Sequence, residues 1–118
     1  GKVDEAIAEY RTGIDKAGLE GVLSREGLGI ALETKAAAEK DVAARQKLLE
    51  EALAAFTSMQ PDAAGPRHGY ALYHQGRVLQ TLGKPADAKA RFEQAKEADA
   101  SPELAALVEQ RLASLGAS

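Results

Sequence analysis

The sequence predicts an all-α protein. Ala, Leu, Glu, Lys, Gln and Arg, the residues that lose least on entering a helix, dominate its 118 positions. No window alternates apolar and polar residues for long enough to suggest a strand. Apolar residues recur instead three and four positions apart, and Gly, Pro and Asp signals break this pattern into about six segments.

The first helix is expected over residues 3–17, where Val3, Ile7, Tyr10 and Ile14 form one stripe. Gly18 followed by Leu19 is its stop signal. A long second helix follows to about residue 38, with Leu19, Leu23, Gly27 and Ile30 on its inward face. Asp41 caps a third helix over 42–59, whose Leu48, Leu49, Ala52, Leu53 and Phe56 point inward. The segment PDAAGPR at 61–67 is a loop, with Pro66 suited to the first turn of a helix over 67–82. A fifth helix spans 85–98 with Pro85 in its first turn. Ser101-Pro102-Glu103 then opens a sixth over 102–115, with the Ser101 hydroxyl as cap and Leu104, Leu107, Val108, Leu112 and Leu115 as one apolar face.

Composition narrows the function. A chain of 118 residues is expected to form one domain and to bury somewhat over ~60% of its unfolded surface. It has no Cys, which excludes disulfides, thiol catalysis and thiolate metal sites. The formal net charge is −3 with both signs interspersed, so there is no basic stripe for nucleic acid. Apolar runs are too short for membrane insertion, and no leader peptide is recognisable. A soluble protein is expected, cytoplasmic or periplasmic, and the missing initiator Met suggests a piece of something longer.

The chemistry-bearing residues do not converge. His68 and His74 are six apart, on different helix faces, which disfavours a metal pair. Ser24, Ser58, Ser101 and Ser114 belong to no nucleophile motif. The carboxylates are scattered, often three or four residues from a base, as Glu93 is from Lys89 and Lys96, the pattern of a solvated helix face. Neither GLEG at 18–21 nor GLG at 27–29 fits a phosphate-binding loop. No enzyme activity, cofactor or metal is expected.

One pattern recurs. GKVDEAIAEY at 1–10 and GKPADAKARF at 83–92 share Gly-Lys, a sixth-position Ala and a tenth-position aromatic. Around the second copy, Gly76, Ala88, Phe92 and Ala95 are spaced as small and aromatic residues must be for two antiparallel helices to approach closely. On these residues the chain resembles the tetratricopeptide repeat family, with departures at Leu72, Gln75 and Leu79, where the family has Trp, Leu and Tyr. Residues 1–17 then read as the second helix of a truncated repeat with Ala6 and Tyr10 in the small and aromatic places. Residues 19–59 read as an elongated repeat with Gly27, Ala52 and Phe56, 67–100 as a complete repeat, and 102–115 as a capping helix. A plain bundle is the alternative.

The resemblance implies a short right-handed α-solenoid acting as a protein–protein interaction scaffold, with a partner segment held on the concave face. By that analogy the groove residues are Tyr70, Tyr73, His74, Arg77 and Gln80 on the fourth helix, with Ser24 and Leu28 on the second. Tyr and Arg suit such a surface because they bury large area while still hydrogen-bonding. Two other assignments stay open: Tyr70 and Tyr73 as core residues packed on the second helix, and Leu28 and Leu32 as buried. The family's peptide-carboxylate clamp is not matched, since only Arg77 among these positions is basic. An assembly role through Val3, Ile7 and Ile14, facing another copy or preceding repeats, is a further expectation; a small-molecule or catalytic role is the least supported.

Overall fold

The structure, a computed structural model, describes residues 1–116. Among them are six α-helices and no strand: α1 (Lys2–Arg11), α2 (Gly18–Ala38), α3 (Val42–Met59), α4 (His68–Thr81), α5 (Pro85–Ala98) and α6 (Pro102–Gly116). Contacts divide the chain into two compact units, Gly1–Met59 and Gln60–Ser118. No described helix is long and apolar enough to cross a membrane.

In the first unit α2 packs on both α1 and α3. The first helix is shorter than expected. It stops at Arg11, where the Thr12 hydroxyl donates to the Glu9 carbonyl at 2.6 Å and the Thr12 and Gly13 amides fold back on Glu9 and Tyr10. These local bonds satisfy the last carbonyls and remove the reason to continue the helix. Ile14 therefore lies in the turn beyond α1, half buried, rather than on the helical stripe. Gly18 opens α2 with φ at +69°, a left-handed conformation that costs glycine least.

The inward face of α2 is not the expected one. Leu19, Leu23 and Ile30 are exposed at 61%, 45% and 44%, while Val22, Leu28, Gly29, Leu32 and Ala36 are buried. The stripe that packs is rotated because α3 delivers Phe56 against Gly29: a β-carbon there would sit 2.5 Å from the ring. Gly27 faces the other neighbour, with a β-carbon position 2.3 Å from the Tyr10 ring. On α3, Ala52, Phe56 and Met59 are fully buried, and the expected Asp41 cap forms, its carboxylate accepting the Ala44 amide at 2.9 Å. Leu48 and Leu53 are only half buried.

The second unit begins with the loop. The Gln60 side-chain oxygen accepts the Arg67 amide at 2.5 Å, and the Asp62 carboxylate accepts the Ala64 amide at 3.0 Å. Pro66 sits in this turn, two residues ahead of α4, and not in its first turn. Helices α4 and α5 form the main antiparallel pair, joined at Gly83, whose φ of +78° suits only glycine well. Ala88, Phe92 and Ala95 are fully buried, and the Phe92 ring lies 2.6 Å from where a Gly76 β-carbon would be. The last helix packs through Leu104 and Val108, with Leu107 at the surface. The Ser101 hydroxyl does not cap it. That hydroxyl is buried without a hydrogen bond, and the Asp99 carboxylate accepts the Ser101 amide instead.

The two hairpins, α2–α3 and α4–α5, are built alike. Gly29 with Ala52, Phe56 and Met59 corresponds to Gly76 with Ala88, Phe92 and Ala95. The first is longer, with helices of 21 and 18 residues against 14 and 14. Gln75 is buried at 7% and accepts a hydrogen bond from Arg91 Nε at 3.1 Å, which is how a polar residue is tolerated there. Its counterpart in the first hairpin is the aliphatic Leu28, opposite Ala55.

Candidate functional site

The candidate residues on α4 separate by burial. Tyr70 is half buried, and the Arg67 guanidinium lies over its ring at 4.7 Å. Tyr73 is buried, its ring centroid 5.8 Å from that of Phe92 and 5.8 Å from that of His74. His74 is likewise buried, on the helix and not at the surface. Arg77 is half buried with its guanidinium 5.5 Å from the Tyr73 ring centre. Gln80 donates from Nε2 to the Ser114 hydroxyl of α6 at 3.2 Å, while its Oε1 is buried without a hydrogen bond. Tyr70 and Arg77 thus present accessible surface, whereas Tyr73 and His74 belong to the packing of the second unit.

Ser24 and Leu28 stand one turn apart on α2 but meet different neighbours. Ser24 is half buried above Gly13, where a β-carbon would come within 2.2 Å of its hydroxyl, and it borders a shallow recess with Glu9, Tyr10 and Glu20. Leu28 is buried and belongs to the wall of a cavity between α2 and α3. The residues expected as an open N-terminal flank are less open than that: Ile7 is buried, and Val3 and Ile14 are half buried. Ala6 and Tyr10 are not buried like Ala88 and Phe92. Ala6 is half buried, and Tyr10 is 38% exposed and lies on the helix that follows it, whereas Phe92 lies on the helix that precedes it.

The surface that sequence reasoning missed is on α2. In the common hairpin register Leu23 corresponds to Tyr70 and Ile30 to Arg77, and both aliphatics are exposed. The signal was present in the glycine pair GLG at 27–29. Placing Gly29 and not Gly27 opposite Phe56 turns Leu23 and Ile30 outward and Leu28, Ala31 and Leu32 inward.

Ion pairs between helices lie at the surface. Lys35 Nζ lies 2.8 Å from the Asp4 carboxylate, linking α2 to α1, and Arg11 lies 3.5 Å from Glu51, linking α1 to α3. The hydrogen bond from Lys35, with its charge, holds the Asp4 carboxyl below the usual carboxylate range; Asp4 in turn raises Lys35. Lys96 pairs with Glu109 of α6, which raises its pKa, and not with Glu93 on its own helix. No group of three or more His, Cys, Asp or Glu side chains able to hold a metal ion occurs among the described residues.

No family model, curated protein or solved structure matches the chain.

Proposed function

We propose that this chain is a tetratricopeptide-like helical module that binds a protein partner without catalysis. The observation that carries the reading is the row Leu19, Leu23 and Ile30, three exposed aliphatics along one face of α2 that the first unit does not use for its own core. Aliphatic surface repeated along one helix face is what an interaction surface needs and what a lone soluble helix avoids. The matching register of α4 carries Tyr70 and Arg77, residue types that give large contact area together with polar anchoring. A partner segment with apolar side chains at intervals of one to two helical turns suits the α2 row.

The test is residue-specific crosslinking followed by affinity measurement. A photo-crosslinker at position 23, 30 or 70 is expected to trap the same protein, and one at Lys89, on an exposed part of α5, is not. The trapped protein is then expected to bind the Ile30→Glu and Tyr70→Ala variants at least about tenfold more weakly, with helix content by circular dichroism unchanged. Equal affinity for wild type and both variants would remove the assignment.

A further inference from the structure

A cavity of about 500 Å³ opens in the first unit between the turn after α1, α2 and α3. Its apolar lining includes Ile14, Leu28, Leu32 and Ala55. Arg25 stands in its wall, half buried. The guanidinium donates from Nε to the Met59 carbonyl at 3.2 Å and from Nη1 to the Ile14 carbonyl at 2.5 Å. A guanidinium carries five N–H donors, so these bonds leave part of its donor edge unused. No carboxylate lies within ion-pair distance of it among the described residues. A partly desolvated cation without an anionic partner is costly, and an anion arriving in the cavity recovers that cost.

The remaining charges around the cavity define which anion. Arg11 and Glu51 are held to one another across it, and Asp15 stands beside them. With two bases and two acids in the lining, a multiply charged ligand such as a phosphate gains little, whereas a single carboxylate can settle on Arg25. The hairpin comparison says why the space exists. Ala55 stands where the second hairpin has Arg91, whose side chain runs across to Gln75. In the first hairpin the short Ala55 leaves room beside it, and Ile14 and Ala54 with the edges of Leu28 and Leu32 give the space an apolar wall. Its size lies within the range of small-molecule sites, about 300–1,000 Å³.

We propose that this cavity binds an aliphatic monocarboxylate, the carboxylate on the open N–H edge of Arg25 and the chain along Leu28 and Leu32. Calorimetric titration of the full chain with octanoate, and separately with octanol, tests it without any variant. Octanoate is expected to bind saturably, with octanol weaker by about tenfold or more, the worth of a charge-assisted hydrogen bond. Ala55→Arg, which places in the first hairpin the residue found in the second, is expected to abolish octanoate binding with helix content retained. Arg25→Gln is expected to reduce octanoate to the level of octanol. Absence of saturable octanoate binding, equal binding of octanol, or unchanged binding by Ala55→Arg would each overturn the proposal. Tighter binding of a short apolar peptide with a free C-terminus than of octanoate would also overturn it, by making the occupant a chain end.

Discussion

Two glycines are read by two phenylalanines. Gly29 faces Phe56 and Gly76 faces Phe92, each pair closing one hairpin with an aromatic ring that is fully buried. Alanine at either glycine gains about 1 kcal/mol of helix propensity. It also forces a β-carbon to within 2.5 Å of the Phe56 ring or 2.6 Å of the Phe92 ring, and neither ring has an empty side to move into. Overpacking of this kind costs about 1–3 kcal/mol, so the steric term wins. Gly29→Ala and Gly76→Ala are each expected to lower the urea midpoint. Gly83→Ala lowers it for a different reason: nothing stands near that β-carbon, but its φ of +78° costs an L-residue about 1–2 kcal/mol. Gly76, Ala88 and Phe92 were legible through their resemblance to a known helical-repeat pattern. Gly29 was not, because Gly27 and Gly29 stand two apart on nearly opposite faces of α2 and each receives a ring; only the partner side chain says which ring is which. Tyr73 shows the same limit. As a groove residue it would tolerate truncation, but buried on Phe92 its replacement by alanine removes a core aromatic, at about 3–5 kcal/mol.

At the scale of the elements, the helices with chemical end signals were legible. Pro85 at the start of α5 and the Asp41 carboxylate at the start of α3 stand where the sequence reading put them. The end of α1 was not legible, because Thr12 carries no strong stop signal until its hydroxyl turns back on Glu9. The hairpins also differ by one buried contact, Gln75 with Arg91 in the second and Leu28 with Ala55 in the first. Arg91→Ala is expected to cost about 1–3 kcal/mol by taking away a charged donor to a buried amide. The double variant Gln75→Leu/Arg91→Ala recreates the first hairpin's pairing and is expected to recover most of that loss in urea denaturation. The docking of α1 on α2 depends on pH through Asp4 and Lys35. The Asp4 carboxyl is held below its ordinary value of about 4, so its contribution is present above that pH and is lost as pH falls through the lowered value. Lys35 is raised, so its contribution is present below about 10.4 and is lost as pH rises past the raised value. Asp4 is exposed and Lys35 half-buried at the surface, so the effect is small and weakened by salt. The protection of amides in residues 2–11, measured relative to their intrinsic exchange rates, is expected to fall as pH drops below about 4, and Lys35→Met is expected to abolish that step.

At the scale of the whole molecule, each unit has its own fully buried centre: Phe56 with Met59 in the first, Phe92 with Val78, Leu104 and Val108 in the second. The connecting segment is exposed from Pro61 to Ala64 and held by a few local hydrogen bonds. Brief digestion with a low-specificity protease is expected to cut first within residues 61–65, giving two fragments near half the chain length by mass spectrometry. A first cut inside α2 or α5 would contradict the division into units.

The sequence by itself determined the helical class, six helices, most of their boundaries and the small and aromatic residues that close the second hairpin. These follow from local propensity, capping and spacing, which a chain carries residue by residue. Only the tertiary structure decided which face of α2 is inside, that Tyr73 and His74 are core, and that Ala55 leaves a cavity where Arg91 fills one. Those depend on which neighbour meets each face. A helix with apolar residues on two faces, as α2 has in Leu19–Leu23–Ile30 and Val22–Gly29–Leu32, is ambiguous until a ring from another helix takes one of them.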